Sequence, residues 1–157
     1  QEYVRRAVVR TLGKLEPVAL AQHGAALAAM LADPNPDVRK VAMETLGKLE
    51  PAALAQHGAA LVATLEHPFG NVRRVAVQTL GRLESAALAQ HGAAIAARLE
   101  DDDWEVRLAA VETLGELEAG ALAQCEKAVA KAAEWDEDED VRDAAAQVLV
   151  KLRAGMQ

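Results

Sequence analysis

The dipeptide Val-Arg returns at Val4-Arg5, Val38-Arg39, Val72-Arg73, Val106-Arg107 and Val141-Arg142, at intervals of 34, 34, 34 and 35 residues. Thr-Leu-Gly keeps the interval at Thr11, Thr45, Thr79 and Thr113, and Leu-Ala-Gln keeps it at Leu20, Leu54, Leu88 and Leu122. Residues 38–71 and 72–105 are identical at 21 of 34 positions. A period of this length marks one supersecondary unit repeated along the chain, each copy burying its apolar face against its neighbours.

Composition says what that unit is made of. Of the 157 residues 36 are Ala, and aromatics supply only 3% of the chain although 52% is hydrophobic. Ala and Leu at this density favour helix and disfavour strand, so the core is aliphatic and helical. In each unit Val38, Ala42, Thr45, Leu46 and Leu49 share one face at helical spacing. We call this the B helix. Glu50-Pro51 breaks it, and Pro51 suits the first turn of a second helix, A, whose stripe is Leu54, Gly58, Leu61 and Leu65. Pro17 and Ser85 hold the corresponding place, Ser85 as an N-cap. Turn chemistry closes the units at Asp33-Pro34-Asn35-Pro36, His67 to Asn71, and Asp101-Asp102-Asp103. The reading is all-α: stacked antiparallel helix pairs with a 34-residue repeat, about nine helices in the order B-A-B-A-B-A-B-A-B. It forms a single domain over residues 1–157. Its first helix, with no A helix before it in this chain, is expected to need further repeats or end-to-end self-association to cover its open face.

The run of an A helix ending in Leu-Ala-Asp-Pro or Leu-Glu-Asp, then Val-Arg-x-x-Ala-x-x-x-Leu-Gly-x-Leu, resembles HEAT repeats. It is most similar to the short HEAT-like units of phycobilisome-lyase relatives. The resemblance implies an α-solenoid with B helices lining a concave face. It also implies a ladder joining each loop Asp to the Arg six residues on: Asp33 with Arg39, Asp101 with Arg107, Asp136 with Arg142. His67 stands where the ladder would place an Asp before Arg73.

Four glycines, Gly13, Gly47, Gly81 and Gly115, fall inside the B pattern, where each costs about 1 kcal/mol against Ala. Close approach of a neighbouring helix is the expected reason. Val150 takes their place in the last unit. His23, His57, His91 and Cys125 form a second ladder. Stacked helices lie about 8–10 Å apart and zinc needs its ligands within about 2.0–2.3 Å, so a repeated helix-surface role or hydrogen bonding between repeats is expected, with no metal and no cofactor.

Enzyme motifs are missing: there is no phosphate loop, nucleophile elbow or Ser-His-Asp pattern. Deoxyhypusine hydroxylase, which this chain resembles in its repeats, binds iron through His-Glu pairs; here Gly24, Gly58, Pro68 and Gly92 follow the histidines. The acidic run Glu134 to Asp140 lacks the Gly and ligand spacing of a calcium loop. The expected function is therefore a non-enzymatic scaffold binding a protein or peptide. The alternatives are a nucleic-acid-binding helical repeat and a phycobilin-lyase-like subunit. No apolar run approaches the roughly 18 residues of a membrane span, and a single Cys suits a reducing, intracellular, cytoplasmic setting.

Charge locates the expected binding surface. Net charge is −7 overall, but residues 1–83 carry +3 and residues 84–157 carry −10. A duplex along the whole chain would be repelled by the second part, which disfavours nucleic acid. B-helix positions off the core stripe should face the concave groove, and there the units differ. Two residues after each Val stand Arg6, Lys40, Arg74, Leu108 and Asp143. Six after it stand Arg10, Glu44, Gln78, Glu112 and Gln147, and ten after it Lys14, Lys48, Arg82, Glu116 and Lys151. The aromatics Tyr3, Phe69, Trp104 and Trp135 should line the loop edge, as seam covers or as anchors for a partner.

Overall fold

The computed structural model describes residues 1–156, whose regular elements are all helices, with no strand among them. They fall into two compact units, Gln1–Thr79 and Leu80 onward. The first holds the B helices α1 (Glu2–Leu12), α4 (Pro36–Leu46) and α7 (Gly70–Leu80), the last closing it. Between them lie α2 (Pro17–Ala21), α3 (Gly24–Met30), α5 (Pro51–Ala55) and α6 (Gly58–Thr64). The second unit contains α8 (Ser85–Ala89), α9 (Gly92–Ala96), a 3-10 turn at Ala97–Glu100, and α10 (Trp104–Leu114). It ends with α11 (Ala119–Ala123), α12 (Glu126–Trp135) and α13 (Glu139–Gly155).

The expected stripes are the core. Val38, Ala42, Thr45, Leu46 and Leu49 are buried, as are Leu54, Gly58, Leu61 and Leu65 of the A segment. Each fully buried Leu or Val contributes about 1.5–3 kcal/mol, and no aromatic joins the buried set. Position matters as much as type. Val38 and Val141 are fully buried, whereas Val4, at the same register, is 64% exposed. α3 packs on α4; in α1, Tyr3, Val4, Ala7 and Val8 instead border an open apolar groove.

Three sequence expectations need correction. First, the A segment is not one helix. It breaks at Gln22-His23, Gln56-His57, Gln90-His91 and Gln124-Cys125; the three histidines leave helical φ/ψ (His57 at −109°, 10°), while Cys125 keeps a right-handed conformation. This raises nine helices to thirteen among the described residues. Second, Ser85 is not an N-cap: it is the first helical residue, where Pro17 and Pro51 also sit, and Glu84 precedes it. Third, Gly13, Gly47 and Gly115 lie at helix C-termini rather than inside helices, and all are right-handed.

Close approach nonetheless explains two of them. A Cβ on Gly13 would stand 3.1 Å from Thr45 Oγ1, and one on Gly115 3.0 Å from Val148 Cγ2. The C-terminal carbonyls left over at these ends find a donor in the next B segment: Lys48 Nζ, in the turn after α4, donates to the Gly13 carbonyl at 2.8 Å, and Lys151 Nζ of α13 to that of Gly115. A cation at a helix C-terminus is favoured by both charge and hydrogen bonding. Where Val150 replaces the Gly, α13 runs on to Gly155.

The break in the A segment has a matching use. In a continuous helix the Ala21 carbonyl would accept from the amide four residues on; here it ends α2, and His57 Nε2 lies 3.1 Å from it. That nitrogen therefore carries the proton. The ring passes directly over Gly24, where a Cβ would fall 2.1 Å from Nε2. The histidine of one repeat thus needs the glycine of the one before. In the second unit Cys125 occupies the histidine position and its thiol reaches the Gly92 carbonyl at 3.8 Å; burial pushes that thiol's pKa up. The expected hydrogen bonding between repeats is seen at His57.

Two glycines give opposite expectations. Gly24→Ala should displace His57 and destabilise the chain by about 1–3 kcal/mol. Gly120, which has nothing near its missing Cβ, should gain about 0.5–1 kcal/mol as Gly120→Ala. Urea denaturation followed by far-ultraviolet circular dichroism checks both, and equal effects would refute the interlock.

Candidate functional site

The loops ahead of the B helices are built the same way. Asp33 Oδ1 accepts from the Asn35 amide, Asp101 Oδ1 from that of Asp103, and Asp136 Oδ1 from that of Asp138, each at 2.9–3.0 Å. The next polar residue caps the helix: Asn35 accepts from the Asp37 and Val38 amides, Asp138 from Asp140 and Val141, and Asp103 from Glu105.

The ladder differs from the expected one. Arg39 does not pair with the Asp33 carboxylate; its Nη1 donates to the backbone carbonyls of Asp33 and Pro34. Arg142 does the same to Asp136 and Glu137. The carboxylates belong to the arginine of the preceding unit. Arg5 Nε reaches Asp33 at 2.7 Å, and Arg107 grips Asp136 through Nε and Nη2 at 2.8 and 2.9 Å. Arg107 Nη1 also holds the carbonyl of its own Asp101. One guanidinium fork therefore ties two successive loops, which a Lys could not do with the same planarity. The family resemblance implied the six-residue pair; packing instead brings together the pair 29 residues apart.

His67 shows which half of the ladder can be replaced. Its Nδ1 accepts the Phe69 amide at 3.2 Å, copying the Asp turn, and Arg73 still donates to the His67 and Pro68 carbonyls. His67 offers Arg39 no carboxylate from the next loop, and the guanidinium carbon of Arg39 stands 5.5 Å from the centre of the Phe69 ring. A cation–π contact replaces an ion pair.

The B-helix positions off the core stripe are mostly exposed. In the first unit Arg10, Lys14, Lys40, Glu44, Lys48 and Gln78 are exposed, with Arg6 and Arg74 half-buried. In the second unit Arg82, Glu112, Glu116, Asp143, Gln147 and Lys151 are exposed, with Leu108 half-buried. Not all are uncommitted: Arg6 pairs with Asp37 at 3.1 Å, and Lys48 and Lys151 cap neighbouring helices. Between α10 and α13 the line opens into a groove of about 680 Å³ that contains Leu108, Glu112, Glu116 and Asp143. Between α4 and α7 there is a smaller hollow of about 140 Å³, with Lys40 and Arg74 at its edge.

All four aromatics are at least 42% exposed, though they are not all loop residues. Tyr3 lies within α1, Trp104 begins α10 and Trp135 ends α12. Trp135 borders a pocket of about 180 Å³ whose wall includes Arg107 and Asp136. No described helix is long and apolar enough to cross a membrane.

Electrostatics makes the ladder acid-sensitive. Burial works against the Asp33 and Asp136 carboxylates, but the arginine and backbone amides facing them outweigh it and hold both pKa values below the usual range. Arg107 is correspondingly raised, first by its bond to Asp136. A carboxylate depressed in the folded state adds stability that is complete above its unfolded pKa, about 4. Denaturation midpoints should therefore hold down to that pH and fall as it drops further. The drop should be smaller in the Asp136→Asn variant, which lacks one of the two groups.

Substitution tests the ladder directly. Asp136→Ala leaves Arg107, 8% exposed, without its charge partner and should cost about 2–3 kcal/mol. His67→Asp should offer Arg39 a carboxylate and gain up to about 1 kcal/mol. Calorimetric melting of the two variants separates these outcomes; a destabilising His67→Asp would show that the cation–π contact is the better rung.

Comparison with known proteins agrees with this construction. HEAT repeats match residues 24–91 and 92–155. No curated protein matches the chain. Among solved structures, a chain from the complex of CpcE and CpcF of phycocyanin lyase from Nostoc sp. PCC7120 is similar at TM-score 0.65 and 18% identity. That match covers 95% of this chain and 99% of the other. An engineered protein matches at TM-score 0.67 and 18% identity over 96% of this chain and 72% of that one. A designed armadillo repeat protein matches at 0.57 and 18%, over 94% and 81%. At such identities the likeness is one of fold, an all-α helical-repeat solenoid; the matched repeats add the family, and the chain belongs to the HEAT-repeat proteins.

Proposed function

We propose that this chain is a non-enzymatic interaction scaffold that binds a protein or peptide along the exposed line of its B helices. The observation that carries this reading is how variation is distributed. Positions that repeat from unit to unit, such as the Val, the Thr-Leu-Gly and the Leu-Ala-Gln residues, supply the buried stripe, the helix ends and the inter-repeat bonds. Positions that differ, including the Arg6, Lys40, Arg74, Leu108, Asp143 series, stand at the surface of the same helices. A rigid scaffold with a varied exposed line can change specificity without touching its fold.

The A segments present a contrasting side. Residues 17–32 and 51–65 contain no charged side chain, and their exposed positions are mainly Ala and Gln. Such a surface offers few anchors of the kind that dominate binding energy.

Selection of displayed peptides against the folded chain tests the assignment. Binders should lose affinity when Lys40, Glu112 or Asp143 is charge-reversed, and keep it when Ala25 or Ala59 on the A side becomes Lys. Loss on the A side alone would place the binding surface there and overturn the reading.

A further inference from the structure

The groove between α10 and α13 differs from its surroundings in a way that identifies a ligand. Its apolar lining comes from α10 and α13, with Leu108 and Ala144 half-buried and accessible above the buried Val111 and Val148. Four carboxylates, Glu112, Glu116, Asp140 and Asp143, line the rim. Among the described residues no ion pair is formed by any of the four. The single cation in the lining, Lys151, is committed to the Gly115 carbonyl.

Size and charge then act together. At about 680 Å³ the groove falls within the range of about 300–1,000 Å³ typical of clefts that enclose a small ligand. An apolar side chain would gain from the floor, while anionic neighbours on the same segment would face four unpaired carboxylates at short range. Like charges set against one another in an interface are strongly disfavoured, and opposite charges speed docking and fix its register. The corresponding hollow between α4 and α7 of the first unit has the reverse rim, Lys40 and Arg74, around Leu31, Met43 and Val75.

We infer that the α10–α13 groove takes a cationic peptide segment, one that presents an apolar side chain flanked by Lys or Arg. This rests on the scaffold reading above and adds the chemical class of the partner at this place. Leu108 is the residue that makes the groove distinct within its series: the same position carries Arg6, Lys40, Arg74 and Asp143 elsewhere. It provides an apolar contact where the other units place charge.

The test uses two fluorescein-labelled peptides of equal length with the same Leu residues, one with Lys and Arg between them and the other with Glu and Asp. Anisotropy titration of the whole chain should show binding of the cationic peptide, weakened by salt, and none of the anionic one. Glu112→Lys/Asp143→Lys should weaken the cationic peptide at least about tenfold. Glu118→Lys/Glu134→Lys, which changes net charge equally at exposed sites outside the groove, should change it by less than about twofold. Amide resonances of Leu108, Val111, Ala144 and Val148 should shift on binding. Equal weakening by the two double variants would mean general charge attraction and would overturn the inference, as would failure of the cationic peptide to bind. An anionic peptide that shifts those same resonances would also overturn it, while leaving the scaffold reading standing.

Discussion

Burial of an aliphatic stripe between successive helices is the constraint from which the other features of this chain follow. Without aromatics in the core, most contacts come from Leu, Val, Ile and Ala, which fill space only when helices lie close together. Dispersion and apolar transfer both fall off steeply across a gap. Close approach leaves no room for a side chain at certain crossings, so Gly13 meets Thr45, Gly115 meets Val148, and Gly24 lies under His57. Ending helices at these points exposes carbonyls, and Lys48, Lys151 and His57 take them up. Packing thus dictates the glycines, and the polar bonds occupy the ends that packing leaves.

The polar links between repeats have a durable part and an exchangeable part. Arg39, Arg73, Arg107 and Arg142 each hold backbone carbonyls of their own loop, and a carbonyl is present whatever the side chain. The link to the neighbouring unit needs a particular partner. It can therefore be rewritten: a carboxylate for Arg5 and Arg107, an aromatic ring for Arg39. The His series behaves in the same manner, with a thiol at Cys125 making a longer, weaker contact than the ring of His57. A repeat architecture tolerates such exchanges because each one is confined to a single junction.

The same division bears on function. Residues that make the stack are unavailable for a ligand, and they are the ones that recur. The remaining exposed B-helix positions carry most of the difference between units, and in the second unit they surround an apolar floor with carboxylate. Lys48, Lys151 and Arg6 show the limit of reading a surface from alternation along a helix. They occupy the variable line, yet their charges are already engaged within the fold.

How much of this was legible from the chain alone follows from the range of each interaction. Helix identity, the 34-residue unit, the core stripe and the exposed line were all readable, because periodic burial leaves a pattern at separations of three, four and 34 residues. The break at Gln-His-Gly was not, since Ala and Leu on both sides favour continuous helix; only the neighbouring His57 bonded to the Ala21 carbonyl shows what the break is for. The partner of each Asp was also hidden. The family resemblance implied the Arg six residues on, whereas the Asp33 and Asp136 carboxylates meet Arg5 and Arg107, 28 and 29 residues before them. The stacked structure decided for the farther, because the loop carbonyls occupy the local arginine while its remaining nitrogens face the next loop. What the sequence determined by itself was periodicity and polarity. Tertiary structure alone decided which polar atoms meet, because donors and acceptors brought together by packing carry no periodic mark in the chain.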